Sequence, residues 1–266
     1  MSKKHMGILI VSLIVLPILL GVVAFNIHIV YSNPKSLYLI ANHHTAQFDA
    51  WGIQPDGTTI YQATYNLQHA TDPSGIAIDE SSNTLFVTSE FSLAGVELVD
   101  ATTMTFIGTA PGPIDLAGID VDDADDVVYA VHRETNDLYV YNWHPNNNTL
   151  TPQAGFNPFD LPNCSSAFGI ALDERTGILW IADSGDGIAR ADSVESWNET
   201  ESMSFTPSHK PVDIAVDRQR GFVYTVSMSL GASVPPGCGS NNLSRYEVAT
   251  GIETTVDMGI RALVLQ

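Results

Sequence analysis

Beyond position 36 the apolar residues come in short runs separated by polar, turn-forming links, and no stretch keeps a helical period. The runs recur. Gly75-Ile76-Ala77-Ile78-Asp79 returns as Gly118-Ile119-Asp120-Val121-Asp122, as Gly169-Ile170-Ala171-Leu172-Asp173 and as Asp213-Ile214-Ala215-Val216-Asp217. Each copy is followed at the same offset by a second apolar run: Leu85-Phe86-Val87, Val128-Tyr129-Ala130, Leu179-Trp180-Ile181 and Val223-Tyr224-Thr225. The polar links between the two runs, such as Glu80–Asn83 and Glu174–Gly177, are rich in turn formers. Four copies in phase predict the first two strands of a repeated β-unit.

Each unit continues with an alternating segment, as in Val96–Asp100, Leu138–Asn142 and Ile188–Asp192. A weaker, Thr-rich strand closes it, as in Thr102–Ile107 and Gly251–Val256. Four short strands in a unit of about 45 residues describe a propeller blade. One blade cannot bury both of its faces, so the blades must cover one another. Ahead of the first full copy, Leu37–Ala41, Phe48–Ile53 and Thr58–Ala63 read as the second, third and fourth strands of a blade without its inner strand. Gly259–Val264 is a degenerate inner-strand sequence that would complete that blade and close the ring. The expectation is an all-β propeller of about five visible blades, with a truncated chain as the alternative.

The second strands Leu85-Phe86-Val87-Thr88-Ser89 and Val223-Tyr224-Thr225-Val226-Ser227 resemble the YVTN-type propeller repeat. Gly169–Asp173 followed by Leu179-Trp180-Ile181-Ala182-Asp183-Ser184-Gly185 resembles the NHL repeat. The resemblance covers residues 36–260 and implies architecture more than activity, because such repeats serve as scaffolds, binding rings and enzymes alike.

The N-terminus follows other rules. Residues 1–6 carry Lys3 and Lys4, and Gly7–Phe25 is an apolar run of 19 residues without a charge. That length spans a hydrocarbon core of roughly 30 Å as a helix. The two lysines ahead of it place the N-terminus in the cytoplasm and the body outside. Residues 7–25 are thus expected to form a signal anchor, 26–35 a linker and 36–266 the ectodomain, at a cell surface or in a periplasm. Cleavage after Val22-Val23-Ala24, giving a secreted protein, is the alternative.

Charge then narrows the partners. All 30 acidic residues follow position 48, against nine basic ones from Lys35 onward, so the body carries −21. A field of that sign repels phosphate backbones and argues against nucleic acid. Cys164 and Cys238 suit one disulfide in an oxidising compartment, and Asn147, Asn163, Asn198 and Asn242 stand in glycosylation sequons.

If the first two strands of each blade join by a tight link, the other loops share one face of the ring. That face would gather Asn42, His43, His44, Glu90, His132, Arg133, Asp183, His209 and Lys210, the expected ligand-binding face. The opposite face would hold the acidic links. The run Asp120, Asp122, Asp123, Asp125, Asp126 lacks the order of a calcium loop and reads as a solvated turn. No Gly-x-Ser-x-Gly elbow or His-Glu-x-x-His motif is present, and no Glu-Gly-Pro segment of the gluconolactonase type. The residues therefore point to a membrane-anchored binding or protein-interaction module, whose partner is a protein or a small ligand and whose cofactor and metal are unknown. A metal-dependent hydrolase or lactonase with its site at the channel mouth is the alternative, and a structural surface-layer component a third.

Overall fold

The computed structural model describes residues 37–42, 45–53, 58–91, 94–155, 158–161, 164–186, 188–193, 203–205, 210–228 and 241–257. Among these every regular element is a strand, and the strands form five antiparallel sheets. The first sheet holds three: β1 (Leu37–Asn42), β2 (Gln47–Ile53) and β3 (Thr59–Asn66). The second is a full blade of β4 (Pro73–Asp79), β5 (Thr84–Ser89), β6 (Gly95–Asp100) and β7 (Thr105–Pro111). The third runs β8 (Leu116–Asp122), β9 (Val127–His132), β10 (Asp137–His144) and β11 (Thr149–Pro152), with β12 (Phe159–Asp160) also paired to β10. The fourth comprises β13 (Ala167–Asp173), β14 (Ile178–Asp183), β15 (Ile188–Ser193) and β16 (Met203–Phe205). The fifth comprises β17 (Pro211–Asp217), β18 (Phe222–Met228), β19 (Asn241–Glu247) and β20 (Ile252–Asp257).

The core lies between the blades, as the repeat requires. Ile76 packs with Phe48 and Ala50 of the preceding sheet, and Ile119 with Phe86 and Val96. Ile170 packs with Val131 and Leu138, and Ile214 with Trp180 and Ala182. The second residue of every copy thus faces the blade before it. Strand alternation turns the first and third residues the other way, and Ala77 and Ala171 accordingly join the cores shared with the following blade.

Glycine in the first position has a steric reason. A Cβ on Gly118 would lie 2.6 Å from the Phe168 carbonyl oxygen and 2.9 Å from the Cα of Gly169, and one on Gly75 would lie 2.5 Å from the Ala117 oxygen. Successive inner strands approach too closely there for any side chain.

The Asp that ends each copy caps the following turn. Oδ1 of Asp79, Asp122, Asp173 and Asp217 accepts the N–H of Ser81, Ala124, Arg175 and Gln219 respectively. Four residues past each Asp the backbone takes a positive φ, 55° at Asn83 and Asp126, 64° at Gly177 and 70° at Gly221. Only Asn, Asp and Gly adopt that conformation readily, which accounts for the link composition. The same device corrects one boundary. Asp100 Oδ1 takes the N–H groups of Thr102 and Thr103, so those residues form a turn and the strand expected from Thr102 begins at Thr105.

The apolar run 7–25 and the proposed closing strand in 259–266 lie outside the described residues, as do His43, His44, His209 and Cys238. Among the described residues no helix is long and apolar enough to cross a membrane.

Candidate functional site

The inner strands β4, β8, β13 and β17 border a cavity of about 850 Å³. At one end it opens among the loops that lead into the blades and those joining second strands to third. Backbone bonds tie the two loop sets together in three blades: Glu90 N–H to Asp72 O at 3.2 Å, Arg133 N–H to Asp115 O at 3.3 Å, and Ser184 N–H to Ser166 O at 2.9 Å. This end is bounded by Glu90, Phe91, Arg133 and Phe168.

Arg133 organises this mouth. Its Nη1 donates to Glu90 Oε2 at 2.6 Å, and Nη2 lies 3.6 Å from Asp115 Oδ1. Its guanidinium carbon sits 5.6 Å from the ring centre of Phe91 and 5.4 Å from that of Phe168. Planar, weakly hydrated guanidinium suits such stacking. Its charge is answered by two neighbouring carboxylates, so Arg133 is a structural centre rather than an open anion receptor. Phe91 is 57% exposed and Ile114, in the neighbouring loop, 55%. The two loops are joined by Gly95 N–H to Pro113 O at 2.9 Å.

The other residues of the expected face divide. Asn42 ends β1, opposite Gln47. His132 is buried at the end of β9, and its Nδ1 accepts the Thr135 N–H at 3.2 Å, an arrangement that shapes the β9–β10 turn. Asp183 is fully buried and accepts from the N–H groups of Ser165, Ser166, Gly185 and Asp186. It fastens two loops together and does not border the cavity. Lys210 is exposed, and its Nζ donates to Gly185 O at 3.0 Å. The structure therefore brings Glu90 and Arg133 together at the mouth and leaves His132, Asp183 and Lys210 off the cavity wall. Phe91 and Phe168 escape a reading of the charged loop residues, although Phe91 directly follows Glu90.

The cavity interior holds two carboxylates. Asp120 extends from β8 toward β13, where its Oδ2 accepts the Leu172 N–H at 2.6 Å while Oδ1 takes the N–H of Val121. It is no solvated turn residue: it belongs to the strand, and burial pushes its pKa up to about 6 against those two bonds. Asp213, on β17, accepts the Ile214 N–H through Oδ1 at 2.9 Å. Its Oδ2 is buried with no hydrogen-bond partner among the described residues. Burial pushes Asp213 up to about 7, opposed by the Ile214 bond and assisted by the charge of Asp120. At the far end stand Glu80, Asp123, Glu174 and Arg218, with Arg218 Nη1 2.5 Å from Glu174 Oε2. Burial, then the charges of Asp79 and Glu174, raise Asp123 to about 6. Among the described residues no group of three His, Cys, Asp or Glu is placed to hold a metal ion.

These sheets define a β-propeller, and solved structures bear that out. The chain is similar to a functionally unknown protein from Desulfotomaculum acetoxidans (TM-score 0.58, 12% identity, 85% of this chain and 67% of that one). It is similar to a chain of the nidogen/laminin complex (TM-score 0.53, 16% identity, 82% and 78%) and to a protein from Lactobacillus plantarum (TM-score 0.57, 14% identity, 84% and 67%). At such identities the likeness is one of fold. No protein-family model and no curated protein matches the chain. With 898 solved chains matching, the architecture alone names no activity.

Proposed function

We propose that the chain is a membrane-anchored, extracytoplasmic β-propeller of the YVTN/NHL type that acts as a protein-interaction module, its partner seated on the mouth around Arg133. One observation carries this reading. Two large apolar side chains, Phe91 and Ile114, stand exposed on adjoining loops beside an arginine stacked between two phenyl rings. Aromatic residues and arginine, set on a rigid frame and ringed by polar groups, are the composition of an interface centre. The apolar run Gly7–Phe25 behind two lysines supports the anchor and the outward orientation of the body. The likeness to a chain of the nidogen/laminin complex is in keeping with a binding role.

The test compares the full-length chain with Phe91→Ser/Ile114→Ser after mild crosslinking in its native membrane. A specific partner is expected with the wild type and with Lys210→Ala, and is lost from the double variant. The same partners on all three chains would overturn the mouth as the docking surface. A C-terminal reporter enzyme active only outside the cytoplasm tests the orientation, and an inactive, membrane-bound reporter would reverse it.

A further inference from the structure

The cavity interior carries a feature that a protein-docking mouth does not need. The inner-strand copies align in columns, and the third column reads Ala77, Asp120, Ala171, Ala215, while the first reads Gly75, Gly118, Gly169, Asp213. Two carboxylates thus replace the smallest side chains of the repeat, and both border the cavity. Its wall is otherwise largely aliphatic, with Ile76, Ile119, Ile170 and Ile214 among the bordering residues. A volume of about 850 Å³ falls in the range of small-molecule sites.

Charge decides what fits. Of the two arginines that border the cavity among the described residues, Arg133 is engaged by Glu90 and Asp115, and Arg218 by Glu174. Neither forms an ion pair with Asp120 or Asp213 among the described residues, and the charge of Arg218 only partly offsets the burial of Asp120. Asp213 Oδ2 is a buried acceptor without a donor among the described residues, which a native interior rarely leaves unanswered. The described residues offer no three-ligand metal set, so a cation that brings its own N–H donors and an apolar body suits the cavity better than a bare ion.

We propose that the cavity is a binding site for a small organic cation, an amine whose ammonium group lies against Asp120 and Asp213 and whose apolar part packs on the inner-strand wall. This site lies deeper in the cavity whose opening forms the partner surface, and its test does not depend on that surface binding a protein. The ammonium supplies the hydrogen bond that Asp213 Oδ2 lacks, and its charge offsets two carboxylates in a low-dielectric space. Only the ionised carboxylates attract it. Binding therefore weakens as pH falls through the range in which burial makes Asp213 and Asp120 take up protons. Among the described residues the other titratable or charged groups bordering the cavity are Glu90 and Arg133 at one end and Glu80, Asp123, Glu174 and Arg218 at the other. Asp123 titrates in the same range, so it needs its own control.

The experiment titrates the detergent-solubilised full-length chain with 2-phenylethylamine, using the neutral isostere 2-phenylethanol as reference. Calorimetry and saturation-transfer NMR follow binding at about pH 8 and about pH 5.5. The amine is expected to bind at the higher pH, with 2-phenylethanol at least about tenfold weaker, and to lose about tenfold or more in affinity at the lower pH. Asp213→Asn and Asp120→Asn, checked for native melting, should lose about tenfold or more, while Asp123→Asn and Lys210→Ala keep both the affinity and its pH dependence. No amine binding by the wild type would overturn the proposal, as would equal binding of the alcohol. Unchanged binding by both Asn variants at Asp120 and Asp213 would do the same, and a pH dependence that vanished only in Asp123→Asn would move the site to the far mouth.

Discussion

The indole N–H of Trp143 donates to the carboxylate of Asp79 at 2.7 Å, joining β10 of one blade to the end of β4 in the blade before it. Both residues are buried, and the Trp143 ring meets Phe86 edge-on at 5.0 Å. Asp79 also accepts from Ser81 N–H and Ser82 Oγ, so one carboxylate caps its own turn and holds the neighbouring blade. Trp143→Phe keeps an aromatic ring but removes the donor. It should cost about 1–3 kcal/mol, the penalty of leaving part of a buried carboxylate unanswered. Urea denaturation reads this directly, and an unchanged midpoint would show that the bond contributes nothing net.

A second prediction rests on the glycine column. Gly118→Ala places a Cβ 2.6–2.9 Å from backbone atoms of the next inner strand, which cannot yield as a side-chain tip does. A loss of about 1–3 kcal/mol or more is expected from such overpacking. At Gly108, on the outer strand β7, a Cβ would meet nothing within 4 Å, so Gly108→Ala should be close to neutral. Equal effects at the two positions would contradict the close approach of the inner strands.

The repeat explains why much of the fold can be read from residues alone. Columns of Gly, Ile and Asp each carry one physical demand: close approach, burial against the preceding blade, and turn capping. Those demands recur, so the pattern does too. Asp183 is different, because its burial depends on Ser165 and Ser166, whose residue types do not recur in the equivalent loops of the other blades. The stacked pair Phe91 and Phe168 is likewise invisible to periodicity, since it joins separate blades around one arginine. Asp120 is the instructive case. Read along the chain it belongs to an acidic turn, whereas read down its column it is a carboxylate among alanines. The departure from the repeat, not the local composition, marks the cavity.

The cysteines give a third prediction. Cys164 is half-buried and packs against the core shared by the third and fourth sheets, with its N–H bonded to Leu161 O at 2.9 Å. Among the described residues the structure forms no disulfide. Cys238 lies outside them, within a Pro- and Gly-rich stretch, and we propose a bridge between the two cysteines in an oxidising compartment. Such a bridge would stabilise the propeller by about 2–4 kcal/mol. Thiol titration of the unfolded, unreduced protein should find no reactive thiol, and two would exclude the bridge.

The last prediction concerns pH, where carboxylates of opposite behaviour compete. For Asp79, burial works against the charged form, but bonds from Ser82, Ser81 and Trp143 outweigh it and hold the pKa below its ordinary value. Its contribution is present above the unfolded value near 3.8 and is lost as pH falls through the lower folded one. Asp213 runs the other way. Between about pH 4 and about pH 7 the folded chain keeps a proton that the unfolded chain has released, so stability falls as pH rises across that window and stays low above it. Asp120 acts in the same sense over a narrower range. Asp213→Asn keeps an acceptor for the Ile214 N–H and removes the ionisation. Relative to wild type it should gain on the order of 2–4 kcal/mol at about pH 8, with the difference shrinking toward about pH 4. Denaturation midpoints measured across that range check the slope. A wild-type slope retained in full by Asp213→Asn would mean that another group holds the proton.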